Sequence, residues 1–173
     1  MLRRMACPLW NGGLDAQHES LVIRRGSEMI ISGILKGKGS QVVSVRAQDG
    51  VASIARILAQ HRIGAVLVLE RDGQVLGIVS ERDIVRALAS LGEGVMRMTA
   101  GQLMTRVLFT VSPRSSVQDA MQLMTDRRIR HLPVLEDDGT LAGMVSIGDL
   151  VKARIAQAEH EAEELKLFVT HSG

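Results

Sequence analysis

Gly77-Ile78-Val79-Ser80-Glu81-Arg82-Asp83 is answered later in the chain by Gly143-Met144-Val145-Ser146-Ile147-Gly148-Asp149, a spacing of 143 − 77 = 66 residues. In each copy a short apolar run ends at a Ser and gives way to a charged, helix-forming segment. The spacing holds without a gap from Val51/Val117 to Val85/Val151. It also pairs Arg62 with Arg128, Ile63 with Ile129, Val68 with Val134, Asp72-Gly73 with Asp138-Gly139, and Asp83 with Asp149. The chain is therefore a tandem repeat, and one copy can be read against the other.

Each repeat reads strand, helix, strand, strand, helix, which makes the fold class α/β (α+β). Val42 to Val45 is a short strand, and Val51, Ile54, Ile57 and Leu58 share one face of a helix. Ala65 to Leu69 and Val75 to Val79 are apolar runs joined by Asp72-Gly73, a hairpin turn pair. In the second copy Thr110-Val111 matches Ser44-Val45. Ser116 and Asp119 cap a helix, and Leu132 to Leu135 turns at Asp138-Gly139 into Leu141 to Val145. Pro133 has no amide donor, so its strand is expected to be unpaired on one side at that point.

These spacings predict a flexible tail over 1–28 and a first domain over 34–90. They predict a Gly-rich linker over 91–103, a second domain over 104–155 and a C-terminal helical extension over 156–173. Beyond Asp149 the apolar positions Val151, Ile155, Ala158, Ala162, Leu165 and Phe168 continue among charges, past the length of the first repeat's matching helix. Such a stripe needs a surface to cover it, from a second copy or from the helix's own chain.

Composition removes several function classes. The net charge is +2 and aromatics make up 2% of 173 residues, with Trp10, Phe109 and Phe168 far apart, so neither a basic stripe nor a base-stacking platform for nucleic acid is expected. No run reaches the ~20 apolar residues of a membrane span, and the start has no signal-peptide core. With a single cysteine, Cys7, the reading is cytoplasmic. His18, His61, His131, His160 and His171 show neither metal-ligand spacing nor a catalytic relay, so no metal, no required cofactor and no enzymatic activity are expected.

Ser-x-x-Asp at the start of a helix is a capping box, which needs no ligand. A functional reading adds the glycine three residues before the Ser, Gly77 or Gly143, as room for a group approaching the strand. It also adds a helix N-terminus that favours an anion and an Asp able to accept from vicinal hydroxyls. Together these describe a sugar-phosphate site.

The repeat resembles a CBS domain, and the pair resembles a stand-alone CBS-pair (Bateman) module. The residues that carry the likeness are His61-Arg62-Ile63-Gly64-Ala65-Val66 with Gly77 to Asp83, and Arg128-Ile129-Arg130-His131-Leu132-Pro133-Val134 with Gly143 to Asp149. The resemblance implies a regulatory module whose clefts bind an adenine nucleotide such as AMP, ADP, ATP or NAD. It also implies a disc-like homodimer and an unidentified downstream protein. By the same resemblance Asp83 and Asp149 hold ribose hydroxyls, and Ser80 and Ser146 lie near ribose and phosphate. The base then meets Ile63, Gly64 and Ala65, or Arg130, His131 and Pro133, with the segment around Thr110. Comparison of the two copies makes Arg82 a candidate phosphate contact, which Gly148 removes from the second. How the two repeats combine in one cleft stays open. The rival reading is a ligand-free scaffold acting through its C-terminal helix and dimer surface.

Overall fold

The computed structural model describes residues 29–39, 41–106 and 108–171. The tail expected over 1–28, with Cys7, Trp10 and His18, lies outside them, as do the side chains of Phe168 and His171. Helix α1 (Ile31–Lys38) precedes the first repeat: β1 (Ser44–Val45), α2 (Val51–His61), β2 (Ala65–Leu69), β3 (Val75–Ser80) and α3 (Glu81–Leu91). A 3-10 turn over Gly92–Arg97 and the short α4 (Ala100–Leu103) lead to α5 (Val117–Arg127), β4 (His131–Leu135), β5 (Leu141–Ser146) and the 25-residue α6 (Ile147–His171).

The expected hairpins form in matching register, with Ala65 opposite Ser80 and His131 opposite Ser146. One difference between the sheets follows from a single residue. In the first repeat β1 runs parallel to β2, and the Leu67 amide donates to the Val43 carbonyl. Its counterpart is Pro133, which has no amide to donate, so the equivalent of β1 shrinks to a lone bridge between Val111 and Val134.

Each repeat completes the other's core. Ile31 of α1 is fully buried with Val117, Ala120, Met124, Leu132, Val134, Val145 and Leu150 of the second repeat. Ala100 of α4 is buried with Val45, Ile54, Leu58, Val66, Val68 and Val79 of the first. The backbone bonds match in the same crossed sense. Ile31 and Ser32 donate to Ser115 and Pro113, while Ala100 and Gly101 donate to Asp49 and Ala47. Segments 29–32 and 98–101 are thus a further repeated pair, at a spacing of 98 − 29 = 69 residues. The three-residue offset from the main repeat hides them in the sequence.

The two segments then diverge. After α4 the chain turns extended at Met104, and Thr105 exchanges backbone hydrogen bonds with Ile78 on the edge of β3 at 2.9 and 3.1 Å. The counterpart of Thr105 is Lys36, which is still helical, because α1 continues to Lys38 and stops at Gly39 with φ 86°. One cleft is therefore bordered by an extended strand, and the other receives the end of a helix.

Gly77 and Gly143 serve this packing, which corrects the expectation that they make room for a ligand. A Cβ on Gly77 would lie 2.7 Å from the Thr105 carbonyl oxygen and 2.8 Å from Met104 Sδ, and one on Gly143 would lie 2.8 Å from Leu35 Cδ2. The close approach is by the chain's own segments, so a valine at Gly77 acts on folding before it acts on any ligand.

Candidate functional site

Both predicted capping boxes form. Asp83 Oδ2 accepts from the Ser80 amide at 2.8 Å and from Ser80 Oγ at 2.6 Å, and Ser80 Oγ accepts from the Asp83 amide at 3.4 Å. In the second copy Asp149 Oδ2 accepts from the Ser146 amide and hydroxyl, both at 2.8 Å. One carboxylate oxygen thus caps each helix, and the other, Oδ1, has no hydrogen bond among the described residues in either Asp83 or Asp149. The cap does not consume the residue.

The two aspartates differ in their surroundings. Asp149 Oδ2 also takes the ammonium of Lys38 at 2.6 Å. Burial alone would raise this carboxyl, but the Lys38 and Ser146 hydrogen bonds prevail and hold it below the ordinary aspartate range. Among the described residues Asp83 has no cation on its carboxylate.

A cavity of about 510 Å³ opens beside Asp83, where the two repeats meet. One wall is Ile78, Ser80, Arg82, Asp83 and Arg86 with Thr105; the other is Arg127, Arg128, Ile129, Arg130 and His131. The volume lies in the range of small-molecule sites. Arg82 and Arg86 are four residues apart and so share a face of α3, Arg82 in its first turn, where the Glu81 amide donates to the Gly64 carbonyl and the Asp83 amide to Ser80 Oγ. Arg82 also reaches across to the Arg128 carbonyl at 3.3 Å, tying the walls together. Arg127 lies over the Phe109 ring, 4.7 Å from its centre. Arg128 ends α5 in the left-handed conformation at φ 53°, a position that favours glycine.

His131 also lines the cavity. Its ring uses space that Gly64 leaves, since a Cβ there would stand 3.1 Å from His131 Cε1. Burial, with help from Arg130 and Lys38 and against the pull of Asp149, lowers its pKa below the usual histidine value.

Of the residues expected to form a site, Ser80, Arg82, Asp83, Arg130 and His131 converge on this cavity. Ser146 and Asp149 belong to the second motif and do not line it. Ile63 packs on the first repeat's core and Ala65 is fully buried there, Pro133 is buried within β4, and Thr110 is exposed beside the Val111 bridge. Sequence reasoning missed Ile78, Thr105, Arg127, Arg128 and Ile129 as walls, and read Arg86 equally as a solvated cation. A signal was present: three arginines fall in Arg127-Arg128-Ile129-Arg130, where the first copy has His61-Arg62-Ile63-Gly64.

A family model described as CBS domain matches residues 39–90 and 100–156. The mitochondrial CBS domain-containing protein CBSX3 of Arabidopsis thaliana is 37% identical over 147 residues, which cover 80% of this chain and 71% of the relative. A CBS-domain containing protein from Agrobacterium tumefaciens has a solved structure that matches at TM-score 0.71 and 40% identity, over 73% of this chain and 99% of that one. A CBS domain protein from Pyrobaculum aerophilum, solved in complex with AMP, matches at TM-score 0.62 and 29% identity, over 70% of this chain and 89% of that one.

Proposed function

This chain belongs to the CBS-domain family, and from that premise we propose that it is a regulatory module binding an adenine nucleotide in the cleft of Ser80, Arg82 and Asp83. The observation that carries the reading is that Asp83, whose Oδ1 is unengaged among the described residues and whose carboxylate has no cation there, lines a cavity whose remaining charged walls are cationic. Oδ1 accepts a ribose hydroxyl, while Ser80, Arg82 and the α3 N-terminus receive phosphate. The AMP complex of the Pyrobaculum relative supports the ligand class. The second motif takes no nucleotide while Lys38 holds Asp149.

The proposal includes a homodimer. Helix α3 buries none of its residues, and Val85, Leu88 and Leu91 are 63, 50 and 55% exposed on it. On α6 the counterpart Val151 and, four residues on, Ile155 are exposed as well. Two equivalent helices with uncovered apolar faces suit a symmetric contact between copies. Nucleotide binding then acts through the angle between repeats, since the cavity walls come from both, and a downstream protein reads the change. The module catalyses nothing in this reading.

No described helix is long and apolar enough to cross a membrane. The reading keeps the module in the cytoplasm; cell fractionation distinguishes that from the mitochondrion in the Arabidopsis relative's name.

A thermal-shift panel of AMP, ADP, ATP, NAD, NADH and S-adenosylmethionine tests the function. A ligand at about a hundred times its Kd adds ~2.7 kcal/mol to stability. A panel that leaves the melting temperature unmoved supports the ligand-free scaffold instead.

A further inference from the structure

The cavity beside Asp83 is lined by five arginines, Arg82, Arg86, Arg127, Arg128 and Arg130, and by one acidic residue, Asp83 itself. The whole chain has a net charge of only +2, so this concentration is local. Among the described residues no ion pair involves a cavity arginine. Arginine does not shed its proton, so the repulsion among these groups remains whenever the cavity lacks an anion. His131 beside them adds no compensating negative charge, and Arg127 is steadied over Phe109.

The cations stand on opposite walls: Arg82 and Arg86 on α3, the others at the end of α5 and the turn into β4. A single phosphate brings about 1.5 to 2 negative charges and meets one group of donors. A chain of phosphates brings more charge and reaches from one wall to the other. Resting on the nucleotide-sensor reading above, we infer that the first cleft selects nucleoside polyphosphates over monophosphates. Ribose sits on Asp83, and the phosphate chain runs between Arg86 and the Arg127–Arg130 wall.

The second motif has a smaller cation set, with Lys152 and Arg62 at the positions that match Arg86 and Arg128. Gly148 replaces Arg82, Gly64 replaces Arg130, and the one cation on its Asp, Lys38, is already paired. The selectivity belongs to one cleft.

Calorimetric titration of the full chain with AMP, ADP, ATP and inorganic triphosphate, with magnesium chelated, tests the inference. Affinity is expected to rise in steps from AMP to ATP, by about tenfold or more across the series. Arg86→Ala and Arg127→Ala should each shrink the ATP-to-AMP ratio several-fold while both variants melt cooperatively near the parent's temperature. Equal affinity for AMP and ATP, or tighter AMP, overturns the inference and leaves the nucleotide sensor standing. Inorganic triphosphate binding as tightly as ATP also overturns it, because the nucleoside would then be ignored. No binding of any nucleotide removes both readings.

Discussion

Lys38 places its ammonium 2.6 Å from Asp149 Oδ2, an ion pair that Asp83, the equivalent residue of the first repeat, lacks among the described residues. The pair exists because α1 runs one turn further than α4 before its glycine stop, and it joins elements 111 residues apart. A half-exposed pair of this kind contributes only about 0–1 kcal/mol to stability. Its larger effect is expected on stoichiometry. Titration of the parent should give one nucleotide per chain, and Lys38→Ala should move the value toward two with a small change in melting temperature. Two sites of equal affinity in the parent would contradict the pairing as a block.

Arg128 holds φ at 53°, where a side chain costs roughly 1–2 kcal/mol that glycine avoids. Arg128→Gly should therefore stabilise the ligand-free chain by about 0.5–1 kcal/mol, a rise of roughly 1–4 °C, after glycine's greater freedom when unfolded is offset. It should also weaken ATP binding by about tenfold, through the lost charged donor. Arg62, at φ 53° in the first repeat and not a wall of the cavity, is the control. Arg62→Gly should gain the stability and keep the affinity. Loss of stability in both variants would show that the side chains pack rather than strain.

Local chemistry was the part of this molecule legible in its sequence. The 66-residue repeat, the capping boxes, the Asp-Gly turns and the missing donor at Pro133 all act within a few residues of one another, and the structure has each of them. The exchange of α1 and α4 between repeats was not legible. Its spacing is 69 rather than 66, and a short apolar segment does not reveal which core it enters. Gly77 shows the same limit from another side. A glycine announces a close approach, but only the fold shows that the approaching atoms belong to Met104 and Thr105. The arginine wall was visible as residues and invisible as a wall, because Arg86 and Arg127 meet only when the repeats pack.

His131 gives the molecule a pH dependence with a definite sign. Its folded pKa lies below the ordinary value of about 6.5, so the unfolded chain binds the proton more readily. Stability from this residue is complete above that value and is lost as pH falls through it. Melting curves at neutral pH and near pH ~5.5 should show a drop in the parent that His131→Gln reduces. Parallel behaviour of the two proteins would mean the ring titrates freely.

Leu88, half exposed on α3, sits in the proposed contact between copies. Leu88→Glu adds a charge where the isolated chain has little to lose, within about 0.5 kcal/mol. It should convert a dimer to a monomer in sedimentation experiments. Truncation after Arg154 asks the same of α6 and should loosen the dimer. A parent that stays monomeric across a wide dilution range, or a Leu88→Glu variant that stays dimeric, would contradict the contact.

The central claim is that Asp83 caps α3 with one oxygen and holds a nucleotide with the other. Titration of ATP into the parent and into Asp83→Asn tests it most directly. Asn keeps an acceptor for the Ser80 amide, so the cap should survive and the ligand-free melting temperature should move by only about a degree or two. The charged hydrogen bond to the ribose is lost, worth about 1.5–3 kcal/mol, and affinity should fall about tenfold or more. An Asp83→Asn variant that binds ATP as tightly as the parent would contradict the account and leave the capping box as the whole role of the motif.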